Sequence, residues 1–433
     1  YCRLCGSNKI NNVFNLGKTP LANSYSKKNL SKKLKKYPLG LNLCSSCGHL
    51  QLTHSIKPEK MFSNYLYKTN TSYKNFLHFK RYAAEINKVF KKKNGKILDI
   101  ASNDGTFLNF FDKRKFFRLG IDPAKNLKKI TTSKGILQID NFFTKKFSSQ
   151  IKKKFDQFDI ITANHVCAHV ENLNDFFQGV KNLLKADGIF IFEISYRGSV
   201  VKKNTFDTIY HEHLDYHALF PMTKFLKKFN LKLFNFKITT AQGGALRIYA
   251  SQNPPFINTK KINEQIKKEK NNYKLFKIST YKKFKERIDI CKNELQKILK
   301  LFYDKKLAIS GYGAAAKTTT LLNYFGLSNS KQIKQIFDDN ILKQGLYLPG
   351  TNIKILDPKN LNFKKIDIII IFAWNYFDTI IKNLKKNKSY KKKDVRFLIP
   401  FPKPKIVKWK YLMLGWWEME KWVKFMLMKS KKI

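Results

Sequence analysis

The sequence has few acidic residues for its length. Among 433 residues, 30 are Asp or Glu and 85 are Lys or Arg, which gives a formal net charge of +55. The basic excess is spread along the whole chain and is mostly Lys. A nucleic-acid binder would concentrate its basic residues on one face or in a recognition motif, and no such motif is present. We therefore expect a Lys-rich solvated surface and no nucleic-acid partner, although the field would attract an anionic substrate.

Long apolar runs and an export signal are also missing. No stretch approaches the roughly 18 apolar residues that a membrane span needs, and residues 1–6 lack the basic start and apolar core of a signal peptide. Hydrophobic residues still make up 43% of the chain, which is enough for ordinary buried cores. We expect a cytoplasmic protein of two or three domains with no membrane partner. The oligomeric state stays open.

Cysteine is scarce too, but four of the six cysteines form two Cys-x-x-Cys pairs. These four are Cys2, Cys5, Cys44 and Cys47. In a chain without an export signal, such pairs favour metal binding over disulfides. Four thiolates fill the tetrahedral shell of a structural zinc ion, so we predict a zinc-binding module over residues 1–60. His49 and His54 are alternative ligands, and two unrelated thiol pairs are the alternative to a metal site.

From residue 96 onward, short apolar strands alternate with helical stretches. The first group has predicted strands at 96–100, 117–121, 158–163 and 189–194, with helices from Thr106 and over 174–184. The second group has predicted strands at 306–310, 335–338 and 366–372, with a glycine-containing turn at 311–316 and a helix over 317–324. Such alternation predicts α/β units with parallel, doubly wound sheets. The charged stretch 255–300 between the groups is predicted to be a helical connector.

The turn after the first predicted strand has the features of a nucleotide-cofactor loop. Gly105 and small neighbouring residues allow close approach of a ligand to the backbone, and Asp122 follows Asp99 at about the spacing of a ribose-binding carboxylate. The layout serves NAD or S-adenosylmethionine. Because the loop lacks G-x-G-x-x-G, the sequence favours S-adenosylmethionine. A purely structural turn is the alternative.

Histidine and tyrosine are concentrated after the strand at 189–194. The run includes Tyr210, His211, Glu212, His213 and His217, and His169 precedes it. Imidazole is the side chain that ionises nearest neutral pH, so this density suggests general acid–base chemistry. The H-E-x-H spacing does not match the H-E-x-x-H of zinc proteases. A histidine cluster without function is the alternative.

Several motifs, in order up to about residue 405, resemble those of the sugar-nucleotide C-methyltransferases, which act on keto-deoxysugars. The motifs are the C-x-x-C…C-x-x-C-G-H-L-Q-L opening from Cys2, Pro-Leu-Ala-Asn at 20–23, and the segments at 65–72, 102–108, 210–213, 242–247, 311–317, 343–345, 349–351 and 373–375. The resemblance implies an α/β protein with three parts. These are a zinc-binding domain at 1–60, a class I Rossmann-like S-adenosylmethionine methyltransferase domain at 61–255, and a Rossmann-like substrate domain with the helical connector at 256–408. Residues 409–433 receive no role.

The resemblance also assigns site residues. Cofactor positions fall on Asp99, Ser102, Asn103 and Asp122, to which the same edge adds Asp104, Gly105 and Asn164. Active-site positions fall on His169, Tyr210, Glu212 and His213, and Tyr67 falls at a substrate contact. His213 resembles the family's catalytic base. Ala101 stands where the family usually has Gly.

These assignments predict methylation of the carbon beside the keto group of a nucleotide-linked keto-deoxysugar through an enolate. His213 would remove the proton, Tyr210 or His169 would donate a hydrogen bond to the enolate oxygen, and Glu212 would orient a partner. Lys317 and its turn would bind the nucleotide diphosphate. The alternatives are oxygen or nitrogen methylation, an inactive zinc-stabilised binding protein, and a nicotinamide oxidoreductase. The sugar, the nucleotide and the methylated carbon stay open.

Overall fold

The computed structural model describes residues 1–30, 33–58, 61, 73–90, 92–329, 331–387 and 395–407. Tyr67 and the terminal segment 409–433 lie outside the described residues. The chain divides into two compact units. The first contains Tyr1–Leu21 and Tyr37–Lys285, and the second contains Ala22–Lys36 with the described residues from Glu286 onward. No helix in the described ranges is long and apolar enough to cross a membrane.

The first unit contains a four-stranded antiparallel sheet near the N-terminus. Its strands are β1 (Ile10–Thr19), β2 (Tyr37–Cys44), β3 (Leu50–Leu52) and β9 (Asp215–Tyr216), in the order β1-β2-β3-β9. Three strands come from the opening of the chain, whereas β9 comes from the histidine-rich segment far along it. The N-terminal sheet therefore includes a strand from a distant part of the chain.

A seven-stranded sheet forms the centre of the first unit. Its seven strands are β4 (Gly95–Ile100), β5 (Phe116–Ile121), β6 (Leu137–Ile139), β7 (Phe158–Asn164), β8 (Leu184–Ser195), β10 (Lys232–Thr239) and β11 (Ala245–Ser251). Their order in the sheet is β10-β11-β8-β7-β4-β5-β6. The five strands from β8 to β6 pair in parallel, while β11 pairs antiparallel with both β8 and β10. β7 is buried along all but its last residue, as expected for a parallel strand covered on both faces.

The first unit also contains helices. They are α1 (Tyr73–Val89), α2 (Lys128–Thr132), α3 (Lys145–Phe155), α4 (Leu173–Leu183), α5 (Arg197–Lys202), α6 (Leu219–Lys227) and α7 (Thr259–Lys267), while α8 (Ile278–Asp304) begins in the first unit and continues into the second. α4 begins after Asn172, whose side chain accepts a hydrogen bond from the backbone amide of Asp175. Phe176 and Phe177 of this helix are fully buried in the core. The predicted helices at 174–184 and within 255–300 are thus confirmed.

The second unit has a six-stranded sheet. Its elements are β12 (Ile309–Tyr312), α9 (Ala316–Tyr324), β13 (Ile333–Phe337), β14 (Lys354–Leu356), β15 (Ile368–Ile371), α10 (Phe377–Leu384), β16 (Arg396–Ile399) and β17 (Lys405–Val407). The strand order is β14-β13-β12-β15-β16-β17, with all pairs parallel except the last. The strand predicted at 306–310 instead begins at Ile309, because α8 extends to Asp304 and the chain must turn before it can enter the sheet.

The helix predicted to begin at Thr106 does not form. The chain there makes only a single 3-10 turn, Leu108–Phe110, between β4 and β5. After the loop 101–105, the rest of the connection returns to Phe116 at the start of β5 without forming an α-helix. Phe107 and Phe111 instead pack edge to face, 5.4 Å apart, in the core beneath α1.

Candidate active site

The carboxyl ends of β4, β5 and β7 lie side by side at one edge of the seven-stranded sheet. The chain runs from β4 outward through β5 and β6, and then returns to add β7 and β8 on the other side of β4. Such a reversal opens a crevice in which α/β sheets bind nucleotides. Asp99 near the end of β4, the loop 101–105, Asp122 after β5 and Asn164 at the end of β7 all border this crevice.

Asp99 is almost fully buried beneath the crevice, with 3% of its surface exposed. Its Oδ1 accepts hydrogen bonds from Thr162 Oγ1 at 2.7 Å and from Asn164 Nδ2 at 3.4 Å. Burial, together with the nearby Asp122, raises the pKa of Asp99 to about 7, although both hydrogen bonds favour the carboxylate. Asp99 therefore changes its ionisation near neutral pH.

Asp122 connects the end of β5 to the loop after β4. Its Oδ2 accepts the backbone amide of Asn103 at 2.8 Å, and its Oδ1 accepts the amide of Ala124 at 2.8 Å. Burial raises the pKa of Asp122 even though both amides favour its charged form. The carboxylate thus helps to fix the loop conformation.

The loop itself has left-handed backbone at Ala101, Asn103 and Gly105, where φ is 60°, 51° and 69°. Glycine adopts this region without strain, which explains why the related family usually has Gly where this chain has Ala101. Gly105 has a second constraint, because an added Cβ would lie 2.7 Å from Thr131 Cγ2. The loop backbone therefore stays close to the crevice, as the sequence predicts.

Several buried polar atoms near the crevice have no hydrogen-bond partner within the described part of the chain. They are Ser102 Oγ, Asn164 Oδ1, Asp140 Oδ1, and both Oε1 and Nε2 of Gln138. Leaving a buried polar group unpaired costs about 1–3 kcal/mol, so these atoms suit the hydroxyl and ring nitrogen groups of a nucleoside. The residues present therefore fit an adenosyl cofactor.

Gln138 was not predicted from the sequence. It lies in the short strand β6, paired in register with Gly120 of β5. An added Cβ at Gly120 would lie 2.5 Å from Ser102 Oγ, so this face of the sheet meets the loop directly. The available signal was one buried polar residue between two apolar ones, which is too common in strands to indicate a site.

His213 has a defined arrangement of its two ring nitrogens. Its Nδ1 lies 2.7 Å from the carbonyl oxygen of Thr208, which can only accept, so Nδ1 is the donor. Its Nε2 lies 2.9 Å from the hydroxyl of Tyr210, and the two rings are 4.1 Å apart between centroids. In the neutral ring, Nε2 is then the basic nitrogen and accepts the Tyr210 hydroxyl proton.

His169 lies beside His213, with 4.9 Å between ring centroids. Its Nδ1 donates to the backbone carbonyl of Glu212, and the Glu212 residue is buried. Burial lowers the pKa of His169 to about 4, although that carbonyl favours the protonated ring. His169 is therefore neutral at neutral pH and adds no positive charge beside His213.

The segment after β7 connects this imidazole pair to the crevice. Asn164 ends β7, the amide of His165 donates to the carbonyl of Glu193 at 2.7 Å, and His169 follows four residues later. The amide of Leu214, next to His213, donates to the carbonyl of Ala168 at 2.7 Å. The segment that carries His169 thus follows Asn164 along the chain, and a backbone hydrogen bond joins it to the segment that carries His213.

A second buried polar cluster near this edge was missed by the sequence analysis. Glu193 Oε1 lies 2.7 Å from His78 Nε2 and 3.3 Å from His165 Nε2, and Glu193 Oε2 lies 3.0 Å from Arg247 Nε. Burial alone would raise the pKa of Glu193, but the hydrogen bonds from the two imidazoles hold it well below its usual range. The signal was a single charged residue in the predicted apolar strand 189–194 and another in the apolar strand β11.

The four predicted zinc ligands form one cluster. The Sγ atoms of Cys2, Cys5, Cys44 and Cys47 lie within 4.8 Å of one another, and the pairs Cys2–Cys47 and Cys5–Cys44 are 3.6 Å apart. A tetrahedron with Zn–S bonds of about 2.3 Å has edges of about 3.8 Å, so the sulfur atoms fit zinc. His49 is not part of the cluster, because its Nε2 binds Asp215 at 2.7 Å. His54 pairs with the Thr53 hydroxyl.

The two predicted substrate contacts are Tyr67 and Lys317. Tyr67 lies outside the described residues. Lys317 is the second residue of α9 in the second unit, where its Nζ lies 5.6 Å from the ring centroid of Trp374. In the turn before α9, the amide of Ala314 donates to Asp338 Oδ2 at 2.6 Å, so one amide of that turn already has an anionic partner.

Comparisons with known proteins agree with this architecture. A zinc-binding domain model matches residues 2–62, a methyltransferase domain model matches 73–235, and a C-methyltransferase C-terminal domain model matches 240–402. The C-methyltransferase NovU of Streptomyces niveus is 26% identical over 408 residues, covering 94% of this chain and 96% of that protein. The three domain models follow one another along the chain in the order that the sequence motifs imply.

Solved structures also resemble part of the chain. The PH0226 protein of Pyrococcus horikoshii OT3 is 15% identical and covers 46% of this chain and 100% of its own, with a TM-score of 0.34. An S-adenosylmethionine-dependent methyltransferase of Clostridium acetobutylicum ATCC 824 is 16% identical and covers 42% and 92%, with a TM-score of 0.31. At these TM-scores the two likenesses add nothing to the assignment.

The domain models, the relative that spans nearly the whole chain and the thiol cluster agree on one family. The four clustered thiols lie in the part of the chain that the zinc-binding domain model matches. This chain is an S-adenosylmethionine-dependent methyltransferase, and it is similar along its length to C-methyltransferases that carry a zinc-binding domain.

Proposed function

We propose that the chain methylates the carbon beside the keto group of a nucleotide-linked keto-deoxysugar through an enolate, with His213 as the general base. The observation that carries the proton chemistry is the donation of His213 Nδ1 to the Thr208 carbonyl, which leaves Nε2 as the basic nitrogen. The sugar substrate rests on the motif resemblance of the sequence.

The reaction begins at the carbon, because carbon is a poor nucleophile until it loses a proton beside a carbonyl group. In the proposal, His213 Nε2 takes that proton, and the electrons of the C–H bond form the enolate. Bound S-adenosylmethionine supplies an electrophilic methyl group on a sulfonium centre. The enolate carbon forms the new carbon–carbon bond as the carbon–sulfur bond breaks, the keto group returns, and His213 releases its proton to solvent.

Tyr210 is the proposed hydrogen-bond donor to the enolate oxygen. Its hydroxyl donates to His213 Nε2 at 2.9 Å, and it is released from that bond when Nε2 takes a proton. A preorganised donor at a developing oxyanion typically contributes about 100- to 1,000-fold in rate. His169, whose ring stays neutral, and Glu212, whose carbonyl holds His169, are proposed to orient His213.

The cofactor is proposed to bind along the crevice. Asp99 and Asp122 face it from the ends of β4 and β5, and the loop residues Ser102, Asn103, Asp104 and Gly105 approach it with their backbone. Asn164 Oδ1 and the side chain of Gln138 supply the unpaired polar atoms that a nucleoside would satisfy.

The substitution His213→Asn tests the base directly. An asparagine amide can still donate to the Thr208 carbonyl, but it has no basic nitrogen at the position of Nε2. We expect turnover with nucleotide 4-keto-6-deoxysugars to fall about 100- to 10,000-fold, while calorimetry shows nearly unchanged affinity for S-adenosylmethionine. Mass spectrometry for the gain of one methyl group measures turnover.

Solvent deuterium separates the enolate from other chemistry. In D2O and without cofactor, the wild type should exchange the hydrogen beside the keto group into substrate, and the His213→Asn variant should not. A product that fragments as an O- or N-methyl compound, with no deuterium exchange, would replace the enolate proposal. Undiminished methylation by His213→Asn would remove His213 from the role of base.

A further inference from the structure

The segment that carries His213 continues directly into the N-terminal sheet. Asp215 lies two residues beyond His213 and begins β9, which pairs with β3 of that sheet. Between them, Leu214 donates its amide to the carbonyl of Ala168 at 2.7 Å, immediately before His169. The imidazole pair is therefore connected by backbone to the module that carries the four thiols.

Two short segments, residues 2–5 and 44–49, each contain one Cys-x-x-Cys pair and form the two metal-binding knuckles. One buried carboxylate binds a side chain from each knuckle. Asp215 is fully buried, and Arg3 Nε lies 3.0 Å from its Oδ1 and 3.1 Å from its Oδ2. His49 Nε2 lies 2.7 Å from the same Oδ1. Arg3 lies inside the first Cys-x-x-Cys pair, and His49 follows the second pair by two residues. The position of Asp215 thus depends on both knuckles at once.

Arg3 also contacts the segment that carries the second imidazole. Its Nη2 donates to the backbone carbonyl of Glu171 at 2.8 Å and to that of Val170. Both carbonyls lie just beyond His169 in the chain. One guanidinium therefore binds the segments that follow His169 and His213, whose rings are 4.9 Å apart.

We propose that Arg3 is a positioning residue for methyl transfer, which couples the metal-binding knuckles to the pair of imidazoles. It binds Asp215 with Nε and the carbonyls at 170–171 with Nη2, and so sets the separation of His169 and His213. A metal ion on the four thiolates would fix the knuckle that carries Arg3. The inference rests on the proposed role of His213.

The physical reason lies in the shape of the side chain. A guanidinium is planar and presents its donors in a fixed fork, so it holds two acceptors at a set distance, which a lysine ammonium cannot do. Displacement of a catalytic group by about 1 Å can cost on the order of 100-fold in rate. Small movements of the first knuckle would thus reach the chemistry without unfolding the methyltransferase sheet.

Lys228 offers a matched control in the same knuckle. Its Nζ donates to the carbonyl of Leu4 at 2.7 Å, so it also binds the first Cys-x-x-Cys pair to the body of the first unit. Within the described part of the chain, Lys228 makes no hydrogen bond or ion pair with Asp215 or with residues 170–171. The full-length variants Arg3→Met, Arg3→Lys and Lys228→Met therefore separate positioning of the imidazoles from simple attachment of the knuckle.

We expect Arg3→Met to lower kcat about 10- to 100-fold, with KM, zinc content by mass spectrometry and affinity for S-adenosylmethionine close to those of Lys228→Met. Arg3→Lys should lose less, since it keeps the charge but not the fork. Lys228→Met should keep kcat within about twofold of the wild type. In hydrogen-exchange mass spectrometry, peptides spanning 165–171 and 208–217 should exchange faster in Arg3→Met even with zinc retained, and in the wild type after chelation.

Equal kcat in Arg3→Met and Lys228→Met would overturn the coupling. If Arg3→Met does not fold, the same comparison is made with Arg3→Lys, and a kcat equal to that of Lys228→Met again overturns it. The Arg3 variants and His213→Asn together also tell a failure of the coupling apart from a failure of the proposed base. Loss of kcat in the Arg3 variants together with full turnover in His213→Asn would keep the coupling and remove the base assignment.

Discussion

At the scale of single residues, burial decides the ionisation of the groups that border the crevice. Asp99 and Asp122 both lose water on folding, and the pKa of each rises although hydrogen bonds favour its charge. Glu193 is equally buried, yet two imidazoles hold its pKa below the usual range. The difference is that Asp99 has only neutral donors, Thr162 and Asn164, beside it. Imidazole partners thus outweigh the effect of burial on the pKa of Glu193, whereas neutral donors do not outweigh it at Asp99.

The substitution Asp99→Asn should change how stability depends on pH. Because the folded pKa of Asp99 is raised to about 7 from an ordinary value of 3.8, its contribution to stability is complete below pH 4 and is lost as pH rises toward 7. The wild-type free energy of unfolding should fall relative to that of Asp99→Asn by at most about 1.4 kcal/mol per pH unit across this window. Urea unfolding at pH 5, 6, 7 and 8 measures the difference, and a constant difference would contradict it.

At the scale of elements, helix α1 is held against the sheet by one buried arginine. Arg247 of β11 binds Glu193 at the end of β8, and its Nη1 lies 2.8 Å from Glu85 Oε2 on α1. Its guanidinium also lies 3.3 Å from the centroid of the Tyr82 ring, which is on the same helix. These contacts of Arg247 bear on the stability of the first unit.

The substitution Arg247→Met should destabilise the first unit by about 3–5 kcal/mol, since it leaves the buried Glu193 carboxylate without its cation. Lys237→Met is the matched control. Lys237 pairs with the same Glu85 but is about half exposed, so its loss should cost no more than about 1 kcal/mol. Denaturant midpoints of the two variants measure the contrast. Equal losses of stability in the two variants would show that the buried arginine contributes no more to stability than a surface ion pair does.

The predicted helix that does not form is also an element-scale result. The alternation of strands and helices was read correctly over most of the chain, but not between β4 and β5. Apolar periodicity there reflects packing of Phe107 and Phe111 in the core, not a helical face.

At the scale of the whole molecule, the net charge of +55 is a source of repulsion among basic side chains. Acidic partners for them are few, with 30 carboxylate side chains against 85 cations. Some acidic side chains, such as Asp99, Glu193 and Asp215, are buried and, among the residues that the structure describes, form no ion pairs with the lysines on the surface. Salt should therefore stabilise this protein instead of weakening it.

Raising NaCl from 0.01 to 0.1 M shortens the Debye length from about 30 to about 10 Å. We expect the melting temperature to rise by at least about 2 °C over this range, because screening removes repulsion between lysines faster than it weakens the few surface ion pairs. Differential scanning calorimetry makes the measurement, with KCl as a second salt to exclude an ion-specific effect. A falling melting temperature would show that ion pairs outweigh the repulsion.

The sequence by itself determined the features that depend on short covalent spacing. Cys-x-x-Cys brings two thiols within reach of one ion wherever it occurs, so the ligand set was readable without a fold. The strand, the turn with Gly105 and the acidic residue Asp122 likewise predict a cofactor loop from a short stretch of sequence. The structure places these residues along one crevice. Tyr210 and His213 share a short segment, and their hydrogen bond is local as well.

Tertiary structure alone decided the partners that come from distant parts of the chain. Arg3 meets Asp215 across 212 residues, and Glu193 meets His78 across 115, pairings that no local periodicity encodes. Gln138 joins the crevice only because β6 pairs beside β5. The reason is physical: local patterns record which face of an element is apolar, whereas the identity of a buried charge's partner is settled when the sheets assemble and its lost hydration must be replaced.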